Sequence, residues 1–218
     1  MGKIDEGNTV KIPAAEAMIE GNLSMPPAAK GIVLFAHGSG SSRFSPRNQY
    51  VAKVLNKAGL ATLLIDLLTA EEEEIDTLTG EFRFDIHLLA QRLVAATKWL
   101  RKNPATRDLT FGYFGASTGA AAALIAAAEL PTEIKAVVSR GGRPDLALDY
   151  LQKVKAPTLL IVGGNDTVVI DLNKKALARL SVVKKLEIVS GASHLFEERG
   201  KLEEVAKLSV DWFLLHLS

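Results

Sequence analysis

The chain has 218 residues, of which 48% are hydrophobic and 23% are charged, and its formal net charge is +1. This length fits one domain, and the composition favours an ordered core over disorder, so we predict a single domain over 1–218. The balance of 26 basic and 25 acidic residues gives no reason to expect a nucleic-acid or membrane partner. The absence of cysteine excludes disulfides, thiolate metal sites and a cysteine nucleophile.

The N-terminal segment and the apolar stretches bear on location. Asp5 and Glu6 stand early in a segment without an apolar h-region, so we expect no signal peptide. The longest apolar stretch, 119–128, is too short to span a bilayer. We therefore expect a soluble, cytoplasmic protein; its oligomeric state is open.

The first half of the chain begins with strands and then alternates strand and helix. Short strands over 10–12 and 18–23 are predicted to pair antiparallel at a sheet edge. All-apolar runs then predict strands that are buried on both faces. The remaining predicted elements here are a buried strand over 32–36, a Gly- and Ser-rich loop over 37–47, a helix over 48–58 that ends before Gly59, and a second buried strand over 61–66.

The alternation continues to the end of the chain. The segment 69–83 holds four consecutive glutamates and is predicted to be a solvated loop or a short helix. Helices are predicted over 84–100, 118–130, 171–180 and 201–217, and strands over 109–114, 134–139, 158–162 and 185–189. Such alternation indicates an α/β fold with a mostly parallel sheet and helices on both faces. Functional residues are then expected in the loops beyond the carboxyl ends of the strands.

Ser117 is the predicted nucleophile. It lies in 115–119 (GASTG), between a predicted strand and a predicted helix. A sharp strand-to-helix turn exposes a serine hydroxyl above the sheet, and small flanking residues are needed because the turn is tight. The alternative is that Ser117 only caps the helix.

His194 and Asp166 are predicted to complete a catalytic triad. Of four histidines, His194 follows the last predicted strand directly, whereas His87 and His216 fall inside predicted helices. Asp166 follows the strand over 158–162; its rival Asp171 is interpreted as a cap of the next helix. The order Ser, Asp, His, each after its own strand, is the order of α/β-hydrolases.

A hydrolase of this type also needs donors for the developing oxyanion. One is predicted to be the backbone N–H of Thr118, and the other that of Ser39, in the loop after the strand over 32–36.

With these residues, the sequence resembles the dienelactone hydrolase-like branch of the α/β-hydrolase superfamily from about residue 18 onward. It is similar to small hydrolases found alone or fused to a phosphoribosyltransferase domain. The matching segments are 35–40 (FAHGSG), 115–119 (GASTG), 163–166 (GGND) and 191–194 (GASH). The resemblance implies the α/β-hydrolase fold with an eight-stranded sheet, and assigns the nucleophile, acid and base to Ser117, Asp166 and His194.

The resemblance departs at the nucleophile, because true dienelactone hydrolases use cysteine. Dienelactone itself is therefore not the expected substrate, whereas hydrolysis of a small ester, lactone or thioester still is. We expect no metal or other cofactor and no large cap domain. Four arginines after predicted strands suggest an anionic substrate: Arg43, Arg47, Arg140 and Arg143. Surface solvation, or pairing with Asp145 and Asp149, is the alternative for them.

Two other functions fit parts of the sequence. The first is an oxidoreductase, because residues 38–43 with Asp66 come near a dinucleotide-binding fingerprint. Arg43, however, stands where the third glycine of that fingerprint belongs. A non-catalytic ligand-binding or interaction module on a hydrolase scaffold is the second alternative. Transfer of the acyl group to an acceptor other than water also stays open.

Overall fold

The structure, a computed structural model, describes residues 8–217. Asp5 and Glu6, on which the signal-peptide prediction rests, lie outside this range. Eight strands form one sheet in the order β1-β2-β4-β3-β5-β6-β7-β8. The strands are β1 (Asn8–Ala14), β2 (Ala17–Ser24), β3 (Gly31–Ala36), β4 (Ala61–Ile65), β5 (Thr110–Ala116), β6 (Ile134–Arg140), β7 (Thr158–Gly163) and β8 (Lys184–Val189).

Six α-helices connect these strands. They are α1 (Pro46–Lys57), α2 (Ala70–Thr79), α3 (Ile86–Lys102), α4 (Thr118–Glu129), α5 (Thr167–Arg179) and α6 (Lys201–Leu217). Two short 3-10 turns, Pro144–Ala147 and Leu151–Lys153, follow β6. Residues 8–217 include no helix with the length and apolar character that a membrane crossing needs.

The sheet is mostly parallel, as predicted. β1 pairs antiparallel with β2, and β2 with β4, whereas all pairs from β4 through β8 are parallel. Every residue of β3, β4 and β7 is buried, which explains their unbroken apolar runs. The predicted α/β-hydrolase fold is confirmed, and the described residues contain no large cap domain.

Helices cover both faces of the sheet. One core, with Val51 and Phe213, joins α1 and α6 to the sheet; the other, with Leu93 and Ala121, joins α3, α4 and α5 to it. The alanine-rich helix α4 lies very close to the sheet, since ten of its residues are buried. A methyl group on Gly115 would lie 2.4 Å from the Ala120 Cα atom, so β5 and α4 meet without room for a side chain.

The structure decides between two predicted alternatives at one place and corrects a prediction at another. The segment that holds the glutamates is a helix, α2, because Thr69 and Glu72 form a capping box at its start. The helix predicted over 171–180 begins earlier, at Thr167, so the interpretation of Asp171 as a helix cap is wrong. Asp171 lies inside α5, where its carboxylate is 3.6 Å from the Lys174 ammonium group.

The topology brings the predicted site residues to one edge of the sheet. Strands β3, β5, β6, β7 and β8 are parallel, so their carboxyl ends and the loops that follow them share that edge. β5 lies between β3 and β6, so the loop of Ser39 and the turn after Arg140 flank Ser117.

Candidate active site

Ser117 joins β5 to α4 in an unusual backbone conformation. Its φ of 51° and ψ of −121° are rare for a residue with a side chain, and the hydroxyl makes no capping hydrogen bond to α4. The Ser117 N–H donates to the Arg140 carbonyl oxygen at 3.2 Å, and the Arg143 N–H donates to the Ser117 carbonyl oxygen at 3.0 Å. The loop after β6 thus holds the turn through the backbone, and the serine hydroxyl is not used as a helix cap.

The glycines around Ser117 are required by close backbone contacts. A Cβ atom on Gly119 would lie 2.3 Å from the His37 carbonyl oxygen and 2.4 Å from that of Ala36. One on Gly38 would lie 3.0 Å from the Ser117 Cβ atom. The turn of the serine is therefore packed directly against the end of β3.

His194 and Asp166 form a hydrogen-bonded pair. The His194 Nδ1 atom is 2.6 Å from Asp166 Oδ2, and the aspartate side chain is 15% exposed. With a carboxylate at Nδ1, that nitrogen carries the hydrogen, and Nε2 is left as a proton acceptor. Asp166 precedes α5 directly, but its side chain does not cap that helix. The pair has the arrangement of a base and the group that orients it.

The imidazole ring lies beside the turn after β6. A Cβ atom on Gly141 would be 3.4 Å from both Nδ1 and Cε1 of His194. Gly141 directly follows Arg140, the residue whose carbonyl oxygen accepts the Ser117 N–H. Among residues 8–217, no direct hydrogen bond joins the Ser117 hydroxyl to the His194 ring. Such bonds are often long without substrate and tighten during reaction.

Backbone contacts fix the loop that carries His194. The Asn165 N–H donates to the Ala192 carbonyl oxygen at 2.9 Å, and the Ser193 N–H donates to the Glu198 carboxylate at 3.0 Å. This hydrogen bond lowers the pKa of Glu198. A Cβ atom on Gly163 would lie 2.4 Å from the Ser193 carbonyl oxygen. The loops after β7 and β8 are therefore packed together as one unit.

The two predicted oxyanion donors are neighbours, and one of them already donates a hydrogen bond within the protein. The Ser39 N–H donates to the Thr118 hydroxyl oxygen at 3.0 Å, and the Ser39 and Thr118 hydroxyl groups are 3.1 Å apart. The sequence gives no sign of this contact, which joins residues 79 positions apart. An oxyanion would have to share or replace the threonine as acceptor.

His37 has a structural role in the same loop. Its Nε2 atom accepts the Leu67 N–H at 3.0 Å, and Nδ1 is 2.9 Å from the Gly38 carbonyl oxygen. Burial lowers the pKa of His37 below its ordinary value of 6.5. The neutral ring thus connects the loops after β3 and β4.

The four arginines differ in their partners. Arg43 forms ion pairs with Asp66 and Glu20, and Arg143 makes two hydrogen bonds to Asp145, at 2.9 and 2.8 Å. These guanidinium groups are neutralised by the protein itself.

Arg47 and Arg140 are different. Arg47 pairs with the exposed Glu197 at 2.8 Å. Arg140 is buried, and within residues 8–217 no carboxylate pairs with it. This isolation depends on neighbours that are distant in the sequence, so the sequence alone does not separate Arg140 from the other arginines.

A cavity of about 380 Å³ lies next to the loop after β3. His37, Ser41 and Arg43 line it together with acidic residues, among them Glu71 and Glu73. Within the part of the chain that the structure describes, no three histidine, aspartate or glutamate side chains are grouped as a metal site would require.

Comparison with known proteins identifies the family of the chain. A model of the dienelactone hydrolase family matches residues 19–212. The chain belongs to the dienelactone hydrolase family. A dienelactone hydrolase from Anabaena variabilis has a crystal structure with a TM-score of 0.96 and 62% identity, over 98% of this chain and 99% of that one.

More distant structures share the fold of this dienelactone hydrolase family member. Est1E from Butyrivibrio proteoclasticus has a TM-score of 0.80 and 16% identity, over 96% of this chain and 98% of its own. The Pyrococcus furiosus esterase Pf2001 has a TM-score of 0.79 and 20% identity, over 98% of this chain and 92% of its own. At such identities the likeness establishes the fold alone.

Two curated relatives are longer than this chain. Both are Mycobacterium tuberculosis proteins named "Putative phosphoribosyl transferase", and each is 57% identical over 208 residues. The match covers 95% of this chain but 46% of each relative, so the chain spans about half their length. This agrees with the expected similarity to hydrolases that are fused to a phosphoribosyltransferase domain.

Proposed function

We propose that this member of the dienelactone hydrolase family is a serine hydrolase that cleaves a small ester, lactone or thioester. The observation that carries the proposal is the 2.6 Å contact between His194 and Asp166, made beside the unusual turn of Ser117. A serine that merely capped a helix would not need such a turn.

In the proposed reaction, the unprotonated His194 Nε2 accepts the Ser117 proton as the hydroxyl oxygen attacks the ester carbonyl carbon. Asp166 stabilises the imidazolium that forms. The C–O or C–S bond to the leaving group then breaks, and His194 returns the proton to that group. Water, activated by His194 in the same way, releases the acyl group from Ser117.

The negative charge on the tetrahedral intermediate needs donors near Ser117. The backbone N–H of Thr118 begins α4 and that of Ser39 lies in the adjacent loop, so both are suited to the task. For Ser39 to donate, the oxyanion has to compete with the Thr118 hydroxyl. We expect the charged oxygen to win, because hydrogen bonds to charged acceptors are roughly twice as strong as neutral ones.

Ester hydrolysis by matched variants tests the proposal. We expect the wild type to hydrolyse members of a panel of small p-nitrophenyl esters, and Ser117→Ala to lose at least about a thousandfold in kcat. Ser181→Ala is the control, because Ser181 is exposed and lies between α5 and β8, away from this edge of the sheet. A Ser117→Ala protein as active as the Ser181→Ala protein would contradict the proposal and favour the non-catalytic binding module.

The proposal includes a preference for anionic substrates. Only some of the four arginines are available to bind such a substrate, because the others pair with carboxylates of the protein. Arg43 and Arg143 already hold carboxylates of the protein. Any such preference therefore depends on Arg140 and Arg47.

A further inference from the structure

Arg140 is a buried cation that lacks an anionic partner. It is 6% exposed, and no hydrogen bond or ion pair of its guanidinium group occurs among residues 8–217. Arg92 is a useful contrast because it is also 6% exposed. Arg92 pairs with Glu72 at 2.6 Å and donates to the Ala14 carbonyl oxygen at 2.7 Å. The fold thus supplies partners for one buried guanidinium group and not for the other.

The neighbours of Arg140 do not compensate its charge. The Phe196 ring centroid is 6.0 Å from the Arg140 Cζ atom, at the outer limit of a cation–π contact. Burial and the positive charge of Arg47 lower the pKa of Arg140 to about 10. The Nε atom of Arg140 is buried without a partner, as it is in Arg43, Arg47 and Arg92, but those three arginines each pair with a carboxylate through a terminal nitrogen. Glu197 pairs with Arg47, so the three side chains of Arg140, Arg47 and Glu197 together carry two positive charges and one negative charge.

A buried charge without a counter-charge is expensive, and a guanidinium group is shaped to bind an oxoanion through paired N–H donors. One bound oxoanion would supply the missing negative charge and acceptors for the free N–H groups.

This site adjoins the proposed catalytic residues. The Arg140 carbonyl oxygen accepts the Ser117 N–H at 3.2 Å, so Arg140 is fixed to the serine turn. Phe196, which faces the guanidinium group, comes two residues after His194. Arg140 thus contacts the serine turn through its backbone, while its guanidinium group faces a residue of the loop that carries His194.

We propose that Arg140, assisted by Arg47, binds a single oxoanion, either a carboxylate or a phosphate. The anion is carried by the substrate or is free in solution. Only the first of these two sources rests on the proposed hydrolase function.

Binding of small anions tests the site independently of catalysis. We expect isothermal titration calorimetry to detect inorganic phosphate or benzoate binding to the wild type at one site. Arg140→Met should weaken this binding by about tenfold or more, because hydrogen bonds to charged groups are lost. Arg107→Gln is the control: it removes one positive charge from an exposed side chain before β5, at the opposite edge of the sheet. Its affinity should equal that of the wild type.

The proposal would be overturned if the wild type bound neither phosphate nor benzoate, or if the wild type and Arg140→Met bound them equally well. The melting temperature of Arg140→Met without added anion shows whether the variant folds, and we expect it to be no lower than that of the wild type, because an uncompensated buried charge is removed. If Arg140→Met does not fold, Arg140→Lys serves in its place. That variant keeps the charge but not the paired donors, so weaker binding supports the site and unchanged binding refutes it.

Kinetics with matched esters identifies the source of the anion. 4-Acetoxybenzoate and 4-acetoxybenzamide differ in charge but have nearly the same shape. If the substrate carries the anion, Arg140→Met should raise KM about tenfold for the acid and leave the amide unchanged. If the variant binds benzoate or phosphate more weakly but treats both esters alike, the site holds a free anion. An inactive wild type that still binds anions through Arg140 would refute the hydrolase proposal and leave the anion site standing.

Discussion

Replacement of Gly119 by alanine is a sharp test of how the fold positions the nucleophile. The added methyl carbon would lie 2.3 Å from the His37 carbonyl oxygen, whereas ordinary contacts begin at 3.4 Å. Relief requires a shift of about 1 Å between the serine turn and the end of β3. Both partners are backbone, so no side-chain rotation can absorb the shift. A displacement of that size at a catalytic centre can cost about a hundredfold in rate, and overpacking typically costs about 1–3 kcal/mol of stability.

The assay compares Gly119→Ala with Gly59→Ala. Gly59 has a φ of 86° after α1, and no atom lies within 4 Å of the point that an added methyl carbon would occupy, so alanine there strains the backbone without a clash. We expect each variant to lose about 1 kcal/mol or more in urea unfolding. Only Gly119→Ala should lose about a hundredfold in kcat/KM for p-nitrophenyl acetate. Wild-type activity in Gly119→Ala, or equal losses of activity in both variants, would show that the methyl clash does not displace the nucleophile.

Two further predictions concern protonation. Asp166→Asn should lower kcat by about a thousandfold or more, because the amide cannot stabilise the protonated ring of His194; Asp171→Asn, on the exposed side of α5, should match the wild type in the same ester assay. The lowered pKa of His37 predicts that stability falls as the pH falls below 6.5, since the unfolded chain then binds a proton that the folded chain does not. The slope is at most about 1.4 kcal/mol per pH unit, and it should be smaller in His37→Gln when urea unfolding is compared at pH 7.5 and 5.5; equal slopes would contradict it.

Much of the fold can be predicted because its strands are buried. A buried parallel strand has an unbroken apolar run, and the predicted bounds of β3, β4 and β7 nearly equal the observed ones for this reason. The start of α5 is not predicted, because Thr167-Val168-Val169-Ile170 is β-branched throughout, a composition more typical of strands. That turn is helical in the structure, where the helix begins directly after Asp166.

The candidate site also has features that the sequence predicts and features that it does not. The sequence suffices to propose Ser117, Asp166 and His194, because residue type and position after a predicted strand can both be read from it. Contacts between distant segments cannot be read from the sequence: Arg43, in the loop after β3, pairs with Glu20 on β2, and nothing near Arg140 in the sequence distinguishes it from Arg43. Such differences depend on which side chains the folded sheet brings together.

The assignment of the nucleophile is tested by identifying the residue that a fluorophosphonate probe modifies. We predict that mass spectrometry of the labelled wild type will find one adduct, on the peptide that contains Ser117, and none in Ser117→Ala. A wild type that stays unlabelled, or that carries the adduct on another serine, would contradict the assignment of Ser117 as the nucleophile that His194 and Asp166 activate.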